Sequence, residues 1–290
     1  MGIPLVGLSL MPEDPFRQAA YPLFEAGEVD VLEWSFDMGW AGAPLPEWME
    51  QLLHLYGQRG RLLGHGVSFS LLSGQWTDRH QRWLQLLSEE ATRHRYRHIS
   101  EHYGFMTAGT YQKGAPLPVP KTPDTVRLGQ DRLRRLAEAA GCPVGLENLA
   151  FAFGAHDVWD QGSFLEELLE SVDGFLLLDL HNLYCQSVNF KAPWTELVAQ
   201  YPLHRVRELH LSGGSWFAGE PSSRYEPIRR DTHDGAVPEE LFAMLQSILK
   251  RAPAVEAVIL EQLGDSLESD ESKVRFQADY RKIRAIVHGQ

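Results

Sequence analysis

Short apolar runs alternate with longer amphipathic stretches along the whole chain. The runs read as strands at 4–9 (PLVGLS), 29–35 (VDVLEWS), 62–67 (LLGHGV), 97–101 (RHISE), 143–147 (PVGLE), 175–179 (FLLLD), 205–211 and 255–261. Brief, nearly continuous apolar stretches are what parallel strands buried on both faces require. Between them, Trp83 to Arg95, Thr122 to Ala140, Phe164 to Val172 and Pro238 to Lys250 set apolar residues at helical spacing,. Thr122-Pro123-Asp124 and Val237-Pro238-Glu239 carry helix-start chemistry, and Gly141 a stop,. Eight strand-then-helix units, with no repeat and no break in composition, predict an α/β protein, one (β/α)8 TIM barrel over residues 1–290,. An open, doubly wound sheet is the alternative.

Composition narrows the classes. Hydrophobic residues make up 43% and charged residues 23% of the chain, the balance of a folded, soluble protein with a large core,. The net charge of −12 argues against nucleic acid as partner, because phosphate backbones are met by gathered Lys and Arg,. No run approaches the ~18 apolar residues of a membrane span, and Met1-Gly2-Ile3-Pro4 opens neither a basic nor a long apolar stretch,. The expectation is a cytoplasmic protein with no membrane partner. Cys142 and Cys185 are too few for a disulfide framework or a thiolate metal site, and read as small buried hydrophobes,.

The strand ends are where the chemistry collects. FLLLD closes an apolar run on Asp179, and a carboxylate beside a dry core costs several kcal/mol unless something pairs with it,. His65, His102, Glu147, His210 and Glu261 end five other strands, all on the face where such barrels carry their active sites,. Asn182 follows Asp179, and Asp231 and His233 stand two apart in RDTHDG, a spacing that points both the same way in extended chain,. The donors are nitrogen and oxygen only, which suits iron, zinc or manganese. They outnumber the ligands of one cation, so two or three ions with Glu147 as the bridge fit better. Glu147, Asp179 and His210 form the centre of the candidate catalytic set. Pleating lets only one of Glu101 and His102 face the mouth, and His181 is ambiguous. His54, His80, His94, His98, His156, His204 and His288 read as core or surface residues.

Two connections, Tyr103 to Lys121 and Ser212 to Arg230, are long enough to cover a site,. Arg224, Arg229 and Arg230 on the second suggest capture of a carboxylate or an acidic peptide,. No G-x-S-x-G elbow, Walker loop or G-x-G-x-x-G fingerprint after a strand is present,.

GHGVSFSL, SEHYGF, GLENLA, DLHNLY, ELHLSGG, RDTHDG and ILEQ, in this order from 64 to 262, resemble the multinuclear non-heme iron-dependent oxidative enzymes. These are TIM-barrel enzymes that modify ribosomally made peptides. The resemblance implies two or three iron ions held by His65, His102, Glu147, Asp179, Asn182, His210, Asp231, His233 and Glu261. It also implies dioxygen as oxidant, a peptide cysteine or another side chain as target, and often a partner protein that presents the peptide. Two positions depart from the family pattern. Gly214 stands where a second His is common, and Leu263 where an Asp is; both put the substrate pocket, rather than the ligand set, in question. The same layout is similar to the endonuclease-four and xylose-isomerase-like barrels, so metal-dependent hydrolysis of a phosphodiester or isomerisation of a sugar is the competing reading. Asn182, where those nucleases are expected to carry His, and the acidic charge favour oxidation. A metal-dependent binding module without turnover ranks third.

Overall fold

A computed structural model describes residues 2–40, 44–108, 111–218 and 226–289. The strands β1 (Leu5–Leu10), β2 (Val31–Trp34), β3 (Leu62–Gly66), β4 (Ile99–His102), β5 (Val144–Glu147), β6 (Phe175–Asp179), β7 (Val206–Leu211) and β8 (Ala257–Leu260) pair in sequence order. Every pairing is parallel, and β8 returns to β1 to close the barrel. The predicted barrel is therefore the observed fold, and the open sheet is not.

The helices that follow the strands are α1 (Asp14–Glu25), α2 (Glu47–Gln58), α3 (Asp78–Arg93), α4 (Pro123–Ala140), α5 (Ala155–Leu169), α6 (Leu180–Asn189), α7 (Glu239–Leu249) and α8 (Asp270–His288). Helix α4 keeps its expected bounds. Thr122 Oγ1 accepts from Thr125 N, Pro123 opens the first turn, and Gly141 ends the helix at φ 63°, a conformation glycine adopts without a Cβ penalty,. Helices α3 and α5 begin well before the apolar periodicity does. Their first turns are polar and are set by caps instead, Thr77 with His80 and Gly154 N–H with Asp157 Oδ2.

Period-two alternation sorts each strand into two faces. Leu8, Leu32, Ile99, Leu146, Leu176, Leu178, Leu209 and Val258 face the helices and join Phe16, Leu53, Leu87, Leu133 and Phe276 in the main core. Val31, Leu63, Ala257 and Ile259 form a separate small plug within the barrel. On the same alternation, Glu33 follows Val31 and His65 follows Leu63, so the interior turns polar toward the strand C-termini.

The two long connections each contain an antiparallel hairpin. Phe105–Ala108 pairs with Tyr111–Leu117, and Trp216–Phe217 with Ile228–Arg229. Ser70, held at φ 65°, ties the first hairpin down by accepting from the N–H groups of Met106 and Thr107. Among the described residues, no helix is long and apolar enough to cross a membrane.

Candidate metal centre at the barrel mouth

At the end of β3, His65 Nδ1 is bound to Ser100 Oγ at 2.8 Å, which turns Nε2 toward Glu147 Oε2, 3.3 Å away. His102, closing β4, sets its own Nε2 3.3 Å from the same oxygen. The two imidazoles meet edge to face, with centroids 4.8 Å apart. The other Glu147 oxygen accepts from Asn182 Nδ2 at 3.1 Å. Asn182 Nδ2 also donates to the Asn148 carbonyl, so the amide nitrogen is fully used and Asn182 Oδ1 is left over.

Asp179 begins helix α6 and accepts from Asn182 N at 2.5 Å. Asn148, wholly buried, pins the neighbouring strand ends together by accepting from Asp179 N and donating to its carbonyl. His210 from β7 places Nδ1 3.3 Å from Glu261 Oε2, and Glu261 Oε1 lies 3.3 Å from His233 Nδ1. His233 Nε2 is 2.9 Å from Asp231 Oδ1, which also receives His181 Nδ1 at 2.8 Å. His233 holds φ 51°, a conformation that non-glycine residues adopt at a cost and that is often found at functional sites,.

All nine expected side chains therefore converge on one mouth. Donor atoms of His65, His102 and Glu147 form one tight group and those of Glu147, Asp179 and His210 another, with Glu147 in both. Asp179 Oδ2, Asn182 Oδ1 and His210 Nδ1 are buried without a hydrogen-bond partner. Buried polar atoms are rarely left so. Oxygen and nitrogen lone pairs gathered this way fit a cation, and a donor set without thiolate fits iron, zinc or manganese.

The electrostatics point the same way. Burial, joined by the neighbouring charge of Asp179, pushes the Glu147 carboxyl well above its usual range. Burial and Asp231 push Asp179 up to about 7. Burial also lowers His65 and His102, helped for His65 by the imidazole of His102. Burial opposes the charged forms of His210 and His233 as well, but the carboxylates around them, Glu33, Glu208 and Glu261 at the first and Asp231 and Glu261 at the second, together outweigh it and raise both. Carboxylates and imidazoles crowded this closely suit a divalent ion, which neutralises several of them at once.

A cavity of about 690 Å³ opens above these groups. His65, His102, Glu147, Asn182, Asp231, His233 and Glu261 line its floor, while Asp179 and His210 lie deeper, fully buried. Its walls are largely apolar, with Leu10, Trp34, Met38, Leu45, Leu149, Phe151 and Leu263 among them. Glu13, Ser35 and Thr232 are the polar lining residues outside the candidate ligand set among the described residues.

The arginines expected to contact substrate sit elsewhere. Arg224 lies outside the described residues. Arg229 is buried, donates from Nε to His181 Nε2 at 3.2 Å, and packs over Tyr184 and Trp216. Arg230 donates to Ser215 Oγ and packs over Phe217. Neither borders the cavity. The hairpin that pairs Arg229 with Trp216 turns both guanidiniums aside, toward aromatic faces and the back of the site,.

Glu101 faces away from the mouth, accepting from Phe69 N and His102 N. His181 backs Asp231 from helix α6. Glu33, Glu208, Ser100 and Asn148 join the site without being among the candidate residues of the sequence. The first two had a signal, a charge two residues along the same strand face from Val31 and His210 respectively. Position 214 now has an explanation: a Cβ on Gly214 would come within 2.2 Å of the Arg230 carbonyl and 2.7 Å of His181. Leu263 forms part of the cavity wall.

Known proteins share this chain's outline. A UPF0276 protein of Caulobacter vibrioides is 28% identical over 95% of each chain, and one of Acinetobacter baylyi is 27% identical over 83% of this chain and 78% of its own. Among solved structures, D-psicose 3-epimerase from Clostridium cellulolyticum H10 superimposes with a TM-score of 0.60 at 12% identity, covering 98% of this chain and 99% of the other. A xylose isomerase-like TIM barrel protein from Mycobacterium smegmatis, in complex with magnesium, gives 0.55 at 14% identity over 98% and 97%. Likeness at this identity establishes the fold alone. Residues 38–286 match the family described as RiPP precursor modification enzyme MbnB/TglH/ChrH, and the chain belongs to that family.

Proposed function

We propose that this chain is an iron-dependent oxidoreductase that uses dioxygen to modify a residue, cysteine foremost, of a ribosomally made peptide. The whole of 1–290 would act as one barrel domain in the cytoplasm, with two or three iron ions at its mouth; zinc and manganese are the other metals the donors admit. The observation that carries this reading is the sharing of Glu147 between two groups of donors, which is the arrangement a bridged pair of ions needs. Family membership supports a peptide as the substrate.

Bound iron would supply the redox chemistry with dioxygen. The protein's part is placement and exclusion of water. His65, His102, Glu147, Asp179, Asn182, His210, Asp231, His233 and Glu261 would hold the ions, with Glu147, Asp179 and His210 at the centre of the set. Ser100 aims His65, Asn148 locks the ends of β5 and β6, and His181 with Arg229 steadies Asp231,. Trp34, Leu149 and Phe151 keep the wall opposite dry and receive the apolar neighbours of the target residue,. That wall offers few hydrogen bonds to a polyhydroxylated sugar, which weighs against isomerisation. A peptide-presenting partner protein belongs to this proposal too.

The test is anaerobically iron-loaded protein mixed with candidate cysteine-bearing peptides. Oxygen uptake coupled to a change in peptide mass is the expected result. Turnover with zinc that consumes no oxygen would overturn the oxidative reading.

A further inference from the structure

Below the mouth, inside the barrel, lies a polar chain that the site above does not account for. Glu33 from the middle of β2, Glu208 from β7, His98 just before β4 and His210 are all fully buried. His210 Nε2 is 3.0 Å from Glu33 Oε2 and 3.6 Å from Glu208 Oε1. Glu208 Oε2 is 2.8 Å from His98 Nε2, and the His98 ring rests on Phe175 with centroids 4.5 Å apart. Neither Glu33 nor Glu208 borders the cavity, so neither can touch a substrate held there.

Two carboxylates at this depth are costly. Replacing such buried ionic groups by apolar side chains is often neutral or stabilising, and the residues around them, Val31, Leu63, Ala257 and Ile259, show that this interior accepts apolar packing. A role beyond stability is called for, and the geometry supplies one. A neutral imidazole carries one proton and one lone pair, and the partner of one nitrogen decides which atom is free to bind a metal. Glu33 Oε2 lies 3.0 Å from His210 Nε2 on the side away from the mouth, placed to accept a hydrogen carried on that nitrogen. Nδ1, which has no hydrogen-bond partner, lies on the other side of the ring, 3.3 Å from Glu261 Oε2, and His210 also contributes a donor atom to the group with Glu147 and Asp179.

We infer that Glu33 and Glu208 are positioning residues of the metal centre, which hold His210 from beneath so that Nδ1 is its metal-binding atom. Glu33 accepts the proton of Nε2, and Glu208, anchored by His98, closes the other side of the same atom. The inference rests on the metal reading above, but it concerns different residues.

The experiment compares wild type, Glu33→Gln and Glu208→Gln, each titrated with Zn²⁺ in the presence of a competing chelator. Metal equivalents are counted by elemental analysis and the fold is followed by circular dichroism. Long-range ¹H–¹⁵N spectra of the zinc-loaded proteins report which nitrogen of His210 carries hydrogen. Wild type is expected to show Nε2–H with zinc on Nδ1. Glu33→Gln should keep its fold and weaken one zinc equivalent by about 10–100-fold, as loss of a partner behind a ligand does, and Glu208→Gln should weaken the same equivalent less. Wild-type affinity in both variants, or zinc on Nε2 in a further site among Glu33, Glu208 and His210, would overturn the inference while leaving the metal reading in place. A wild type that takes up no metal would overturn both. Should Glu33→Gln fail to fold, the wild-type spectra and Glu208→Gln decide alone.

Discussion

Asn182 turns its amide nitrogen to Glu147 Oε1 at 3.1 Å, and its own oxygen is left buried without a partner. The pair fixes which atoms face the mouth, with Glu147 Oε2 presented between two imidazoles. If Glu147 serves two ions, Glu147→Gln should lose more than one metal equivalent, whereas Asn182→Ala should lose no more than one. Elemental analysis of both variants, prepared alongside wild type, measures the difference. Equal losses would remove Glu147 from its bridging place.

Asp231 reaches the mouth from a loop and touches His181 and His233 rather than the barrel strands. Asp231→Ala should therefore drop one metal equivalent and leave the thermal transition cooperative. An unchanged metal count would exclude this loop from the centre.

Gly214 packs its backbone against the segment that carries Asp231. Gly214→Ala should cost about 1–3 kcal/mol, the range for forcing an extra carbon into a packed site. Gly74→Ala has nothing within 4 Å of the new carbon and should stay within about 0.5 kcal/mol of wild type,. Denaturant unfolding of the two variants provides the comparison.

His80 caps helix α3, its Nδ1 3.2 Å from Thr77 N, and its ring stacks on Trp76. Burial, with help from Arg132 and Arg79, lowers it to about 4. The unfolded chain takes up this proton near 6.5 and the folded chain only near 4. The contribution of His80 is thus whole above pH 6.5 and lost as pH falls from there through 4, by up to roughly 3 kcal/mol. His80→Gln should flatten that part of the stability profile. An identical slope in the variant would contradict the assignment.

Much of this was legible in the chain because a polar residue that ends an apolar run is conspicuous. Asp179 after FLLL and His65 after LLG mark both a strand and its mouth-facing end. Glu33 and Glu208 were not read, although a charge in mid-strand on an inward face is as strong an anomaly as one at its end. They were masked by neighbours that alternate inward and outward. The early turns of α3 and α5 escaped because caps and exposed polar residues leave no apolar period. That Arg229 and Arg230 do not line the cavity was hidden for a different reason. Charge along a loop says nothing about which way each side chain turns, and here the hairpin with Trp216 and Phe217 decided it.

The central claim is that the mouth holds several iron ions near one another. Its most direct test is elemental analysis with Mössbauer spectroscopy on protein purified without oxygen. Two or three equivalents of iron with magnetically coupled signals are the predicted result. Protein that carries zinc instead, and whose turnover is indifferent to added iron, would contradict it.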